Sequence, residues 1–315
     1  MKKNFINSTH IEGYVYEHKL EKKVSGDNSK NPGTEFINGT LSIATDDEML
    51  NVVQVHFTYV TAVTSKGKAN ASYGVLENII DGKIGSVMEH GKENAGKVRI
   101  DSALDLNEWY DTRTAGNPLV SVKRNEGGFI HITQELNAEN QRATFEVDMV
   151  ITGATRMDED SERNQPEKVV VKGCIFNFRK ALLPMEFTVL NPRAMDYFEG
   201  LGASTKTPVF TKLSGQQISK TVVKKIEEEG AFGEASVKEV RNTQRDFVIT
   251  WAQATPYEWD SEDTILASEL GEMIAAREVY LADVKKRQDE YQANKGGAFS
   301  TAPATSSPAK GEYKF

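Results

Sequence analysis

The stretch Glu35–Val60, EFINGTLSIATDDEMLNVVQVHFTYV, decides the fold. Its first run sets Ile37, Gly39, Leu41 and Ile43 on one face, and its second does the same with Val53, Val55, Phe57 and Tyr59. Residues that alternate with period two line opposite faces of a strand, so both runs read as half-buried strands. Asp46, Asp47, Glu48 and Asn51 mark the turn between them, because short polar side chains bond the backbone of their own turn. Just upstream, HIEGYVYEH alternates again, with Ile11, Gly13 and Val15 on one side and Tyr14, Tyr16 and His18 on the other.

Working outward, SYGVLENIIDG places Val75, Leu76, Ile79 and Ile80 at helical spacing and ends in Gly82, a short amphipathic helix with a glycine stop. KVRIDSALDLNEWYD and LVSVKRNEGGFIHIT supply further strands, expected to meet around Asn125 to Gly128. Three strands, a helix and more strands form the layout of an OB-fold, a small Greek-key barrel. The order then repeats at a spacing of roughly 120 to 140 residues, natural for a duplicated domain. TFEVDMVITGATRMDED matches the first strand, with Gly153 in the place of Gly13. VVVKGCIFNF matches the second, with Gly173 for Gly39, and PMEFTVL matches the third. PRAMDYFEGLG takes the helix position, and RDFVITWAQATPYEW closes the unit.

The expected architecture is therefore mainly β. Two OB-like small barrels, residues 8–143 and 144–259, stand in tandem, followed by an acidic helix over 260–292 and a flexible tail over 293–315. The helix has acidic and hydroxyl residues at its start, Leu266, Leu270, Met273, Tyr280 and Val284 at helical spacing, and a Lys-Lys-Arg cluster in its last turns. The tail is Gly, Ala, Ser, Thr and Pro, a composition that buries too little to fold alone.

Composition narrows the function. No window approaches the roughly 18 apolar residues of a membrane span, and MKKNFINSTHIEGYVYEHK has no apolar stretch after its lysines, so a cytosolic protein is expected. The lone Cys174 forbids an internal disulfide and fits a reducing compartment. Histidines at 10, 18, 56, 90 and 131 lie too far apart for a metal cluster. EGLGASTKT superficially resembles a phosphate loop but follows a helix and lacks the GKS or GKT ending; it reads as a helix cap and a turn. Catalysis is not expected.

The net charge of -8 speaks against a basic nucleic-acid binder, yet much of the acid falls between Asp260 and Glu290, leaving the β body able to present cations. Unpaired nucleic acid needs flat rings for its bases and cations for its phosphates. The first strand offers Tyr14 and Tyr16, with Lys22, Lys23 and Lys30 in the loop expected after it. His56, Lys66, Lys68, Lys123 and Arg124 stand on strands, strand ends or loops of the first unit. In the second unit Lys172, Phe176 and Phe178 share a strand face that leads into Arg179 and Lys180, and Trp109 is a further candidate platform.

On IEGYVYEH, FINGTLSIATD, VVVKGCIFNF and the plan of acidic helix, spacer and aromatic terminus, the chain resembles the single-stranded-DNA-binding proteins of bacteriophages and mobile elements. The resemblance implies sequence-tolerant binding of single-stranded DNA in replication or recombination in a host bacterial cytoplasm, without cofactor or catalysis. It also implies contacts with replication or recombination proteins through the tail. The tip AKGEYKF departs from the strongly acidic tip of bacterial single-stranded-DNA-binding proteins, with Lys310 and Lys314 beside Glu312. The rival reading is a virion- or tail-associated structural adaptor whose β-domains bind only protein.

Overall fold

The structure, a computed structural model, describes residues 5–27, 29–160, 165–228, 236–261 and 264–297. The expected tail lies outside them from residue 298 onward. The chain is mainly β, with one large sheet of ten strands and a long C-terminal helix. In the first unit β1 (Asn7–Val24), β2 (Glu35–Ala44) and β3 (Val52–Thr61) precede α1 (Ala71–Ile80) and a single turn, α2 (Val87–His90); β4 (Lys97–Tyr110) and β5 (Leu119–Ile132) follow. β1 is long enough to pair twice, with β4 through Thr9 to Tyr14 and with β2 from Tyr14 to Val24. β2 pairs β3, β3 meets β5 in parallel at Val55 and His56, and β5 pairs β4, so the ladder returns to β1. Ile11, Val15, Leu41, Val55, Phe57, Ile100 and Ile130 fill its interior, capped by Leu76 and Ile79 of α1.

The second unit repeats the plan. β6 (Ala143–Met157), β7 (Lys168–Phe176) and β8 (Leu182–Val189) lead to α3 (Pro192–Gly200), then β9 (Val209–Glu228) and β10 (Ser236–Ala252). Pairing runs β6, β7, β8, β10, β9 and back to β6, with the β8 and β10 contact again parallel. Both helices after a third strand start at an Asn whose side chain accepts from the first turn: Asn70 from Ser72 N, and Asn191 from Arg193 N and Ala194 N. Gly82, at φ +71°, ends α1 as its stop signal requires, and Gly202 follows α3 at φ +59°, which makes EGLGASTKT a helix cap and turn.

Three details differ from the sequence reading. Asn125 to Gly128 lie inside β5, where Gly127 and Gly128 together oppose Ser102 and form a bulge, and the turn of this hairpin is at residues 111–118. Gly39 and Gly173 do correspond, each pressed against a carbonyl of its unit's first strand. Gly13 and Gly153 do not: a Cβ on Gly13 would strike Ala44 O, whereas Gly153 has open space. β9 carries no clear strand signal in the sequence, because its first half, VFTKLSGQQISK, interleaves its apolar residues with polar ones and a glycine.

The units are sewn together. β1 pairs β6 from Asn7 to Ile11, and Leu104 and Leu106 of β4 are buried in the core of the second unit. Asn51 accepts from Ser219 N at 2.6 Å and donates to Gln217 O at 3.2 Å, tying the first hairpin turn to β9. Glu12, fully buried, anchors the connection between β5 and β6: it accepts from Asn137 N at 2.7 Å and from Asn137 Nδ2 at 2.8 Å, with Arg99 at 3.3 Å and His10 at 3.1 Å. Burial pushes its carboxyl up, but the Asn137, His10 and Arg99 contacts outweigh this and hold it below the ordinary value. A carboxylate with a depressed folded value stabilises above its unfolded value of about 4.3, and that contribution is lost as pH falls through the folded one. Glu12→Gln is therefore expected to make denaturant midpoints less dependent on pH below about 4.3. Parallel acid limbs for the two proteins would remove Glu12 from the account of acid stability.

The helix α4 (Ala267–Gly297) runs past the expected end at 292, so Lys285 to Arg287 sit well inside it. It covers the edge of β4 beyond the pairing with β1. Gln288 bonds both backbone groups of Tyr110, and Arg277 pairs with Glu108 and donates to Leu182 O at 3.1 Å. Covering an edge in this way blocks pairing with foreign strands. Near its start, Leu270 and Met273 join Phe5, Trp259 and Tyr257 over Val150, Phe176 and Phe210 in a third apolar cluster.

Candidate nucleic-acid interface

Phe178, Arg179 and Lys180 form the turn between β7 and β8, and Asn177 builds it. Its Oδ1 accepts from Arg179 N at 2.9 Å and Ala181 N at 3.0 Å, and its carbonyl accepts from Lys180 N at 2.9 Å. So fixed, the turn holds the Phe178 ring 89% exposed, with the Arg179 guanidinium 5.1 Å from its centroid. Among the described residues neither Arg179 nor Lys180 has an ion-pair partner. Both line a groove of about 420 Å³ that reaches β4, α4 and, on β5, Arg124. The groove has four cations, Arg124, Arg179, Lys180 and Arg277, against two carboxylates, Asp105 and Glu108.

Arg124 links the groove to the outer face of the first unit. It pairs with Glu126 at 3.0 Å and Asp105 at 3.5 Å, yet its buried Nε has no hydrogen-bond partner among the described residues. Glu126 is opposite His56, whose ring is held below its ordinary value by burial and then by Arg124, so it is neutral at pH 7. Three residues further along β3, Tyr59 packs against Phe36 with 4.5 Å between ring centroids and the ring planes tilted by 39°. Tyr59 was expected inside; an extra residue in β3 between its pairings with Ile37 and Gly39 turns it out, and it is 45% exposed. Lys30, in the loop after β1, and Lys66 and Lys68, in the loop after β3, are all exposed and without ion pairs among the described residues.

Other expected residues are placed elsewhere. Phe176 does face away from its unit's core, but Phe5 stacks on it at 4.1 Å and the third cluster buries it completely, so no base can reach it. Lys22 and Lys23 belong to β1, which continues to Val24. Lys22 pairs with Glu77 of α1 at 2.9 Å and with Asp81, just past its end, at 3.0 Å, and Lys23 with Glu21 at 2.9 Å, so neighbouring carboxylates match their charge. Lys172 pairs with Glu186 at 3.2 Å. Lys123 braces the two units, donating to Glu186 O at 2.7 Å above the Phe247 ring. Tyr14 is flanked by Lys92 and Lys97, Tyr16 sits half-buried in a bulge of β1, and Trp109 is partly exposed on the β4–β5 arm; none of the three lines the groove. Burial pushes the Cys174 thiol up to about 11, which keeps it protonated and unreactive.

The family model described as YorF matches residues 6–286. Ten chains of solved structure also match. One is a crystal structure of a deletion mutant of the single-stranded DNA binding protein from Thermus aquaticus, at 8% identity and a TM-score of 0.45, covering 82% of this chain and 98% of that chain. No curated protein matches.

Proposed function

The chain belongs to the YorF family, and we propose that it binds single-stranded DNA with little regard to sequence, without catalysis, in replication or recombination. The observation that carries this reading is the Asn177-built turn, which holds a bare phenyl ring beside two groove-lining cations that have no ion-pair partner among the described residues. An exposed ring on a fixed turn buries nothing in the protein alone. Against a base it gains a stack, and sequence tolerance follows because every base has a π face. The strand's course runs from Phe36 and Tyr59, past His56 and Arg124, to Phe178, with Lys30, Lys66 and Lys68 at one end and Arg179 and Lys180 at the other.

Phe178→Ala is expected to weaken binding of fluorescent oligo(dT) by about 1–3 kcal/mol, the range for one lost stack, without loss of fold. Arg179→Glu with Lys180→Glu is expected to flatten the dependence on salt, because each lost phosphate contact removes a counterion-release step. Folded variants that bind like the wild type would take the turn out of the interface. A wild type that binds no oligonucleotide would favour the adaptor reading.

A further inference from the structure

We propose that α4 is a wall of the DNA site and that Tyr280 is a further stacking platform, holding one base in the groove beside the Phe178 turn. This rests on the single-stranded-DNA reading above and adds to it a residue from outside both β units. Tyr280 follows Arg277 by one turn and so shares its body-facing side of the helix. Arg277 is fixed there by Glu108 and Leu182 O, and further along Gln288 grips the Tyr110 backbone. A ring between two such anchors cannot swing away with the helix.

That side of an amphipathic helix is normally packed, as Leu270 and Met273 are. Tyr280 instead stays 43% exposed and lines the groove together with Arg124, Arg179, Lys180 and Met273. Among the described residues its hydroxyl has no hydrogen-bond partner. The groove's volume of about 420 Å³ lies within the range of small-molecule sites, roughly 300–1,000 Å³. Its occupant must therefore be compact, flat and attached to anionic groups that Arg179 and Lys180 can meet. A nucleobase with its flanking phosphates meets each condition.

The test uses the full chain and fluorescent oligo(dT), comparing wild type, Phe178→Ala, Tyr280→Ala and Tyr280→Phe. Tyr280→Ala is expected to weaken binding by about 5- to 150-fold, as for one lost stack, with the salt slope unchanged, while Tyr280→Phe keeps the affinity. Photo-cross-linking of a bromodeoxyuridine oligonucleotide to the unmutated chain is expected to label the peptide carrying Tyr280, a readout that survives if the alanine variant fails to fold. If Phe178→Ala weakens binding but Tyr280→Ala does not and the α4 peptide stays unlabelled, α4 is only a brace and the inference falls alone. If the wild type binds no DNA, the inference falls together with the reading beneath it.

Discussion

Phe176→Ala is expected to destabilise the protein by about 3–5 kcal/mol, whereas Phe178→Ala, two residues on, is expected to change stability by no more than about 0.5 kcal/mol. The first ring is completely buried, stacked on Phe5 at 4.1 Å and edge-on to Phe210 at 6.2 Å. Truncating it removes apolar surface from the cluster and leaves a cavity that the surrounding strands and α4 can only partly close. The loss should also loosen α4, because Leu270 and Met273 pack on the same cluster. The second ring is 89% exposed and covers nothing. Urea unfolding measures both. Similar midpoints for the two variants would contradict the placement of Phe176 between sheet and helix.

Replacing Gly39 or Gly173 with alanine has the next largest expected effect, and it tests the duplicated architecture. A Cβ at Gly39 would lie 2.0 Å from Lys19 O, and one at Gly173 would lie 2.0 Å from Val150 O. In each unit the second strand crosses a carbonyl of the first so closely that only glycine fits. Gly39 is also at φ +127°, a backbone conformation that alanine rarely adopts. Relief requires moving a paired strand, which destabilises by about 1–3 kcal/mol for the overpacking alone; at Gly39 backbone strain adds roughly 1–3 kcal/mol. Gly153→Ala is the control, since open space surrounds that position, and it is expected to be near neutral. Wild-type stability in Gly39→Ala and Gly173→Ala would mean that the strand crossings differ from those described.

These glycines also show what could be read in the sequence. Period-two runs identified β1 to β3 and β6 to β8, because burial of one sheet face is written directly into neighbouring residues. The helix after each third strand was legible from its spacing and its glycine stop. The faces of β7 were legible too: Ile175 enters the unit's core and Phe176 points away from it. What covers that outer face was not, since Phe5 and α4 come from the two ends of the chain and no local pattern joins them. The cations failed for the same reason. Lys22 is matched by Glu77 and Asp81 more than fifty residues away, while Arg179 and Lys180 stay unmatched among the described residues, and the sequence presents them alike. Tyr59 was misplaced by a single extra residue in β3, which reverses the alternation without changing composition. Tyr280 has the spacing of a core-facing helical residue, and only the groove beside it leaves the ring uncovered.

The central claim is that rings and unmatched cations along one groove hold an unpaired DNA strand. Titration of fluorescent oligo(dT) with the full chain at two salt concentrations tests it most directly. With phosphates met by Lys30, Lys66, Lys68, Arg179 and Lys180, the logarithm of the binding constant should fall with the logarithm of salt at a slope of roughly -3.5, about -0.7 for each contact on a single strand. No binding at low salt, or an affinity that salt leaves unchanged, would contradict it.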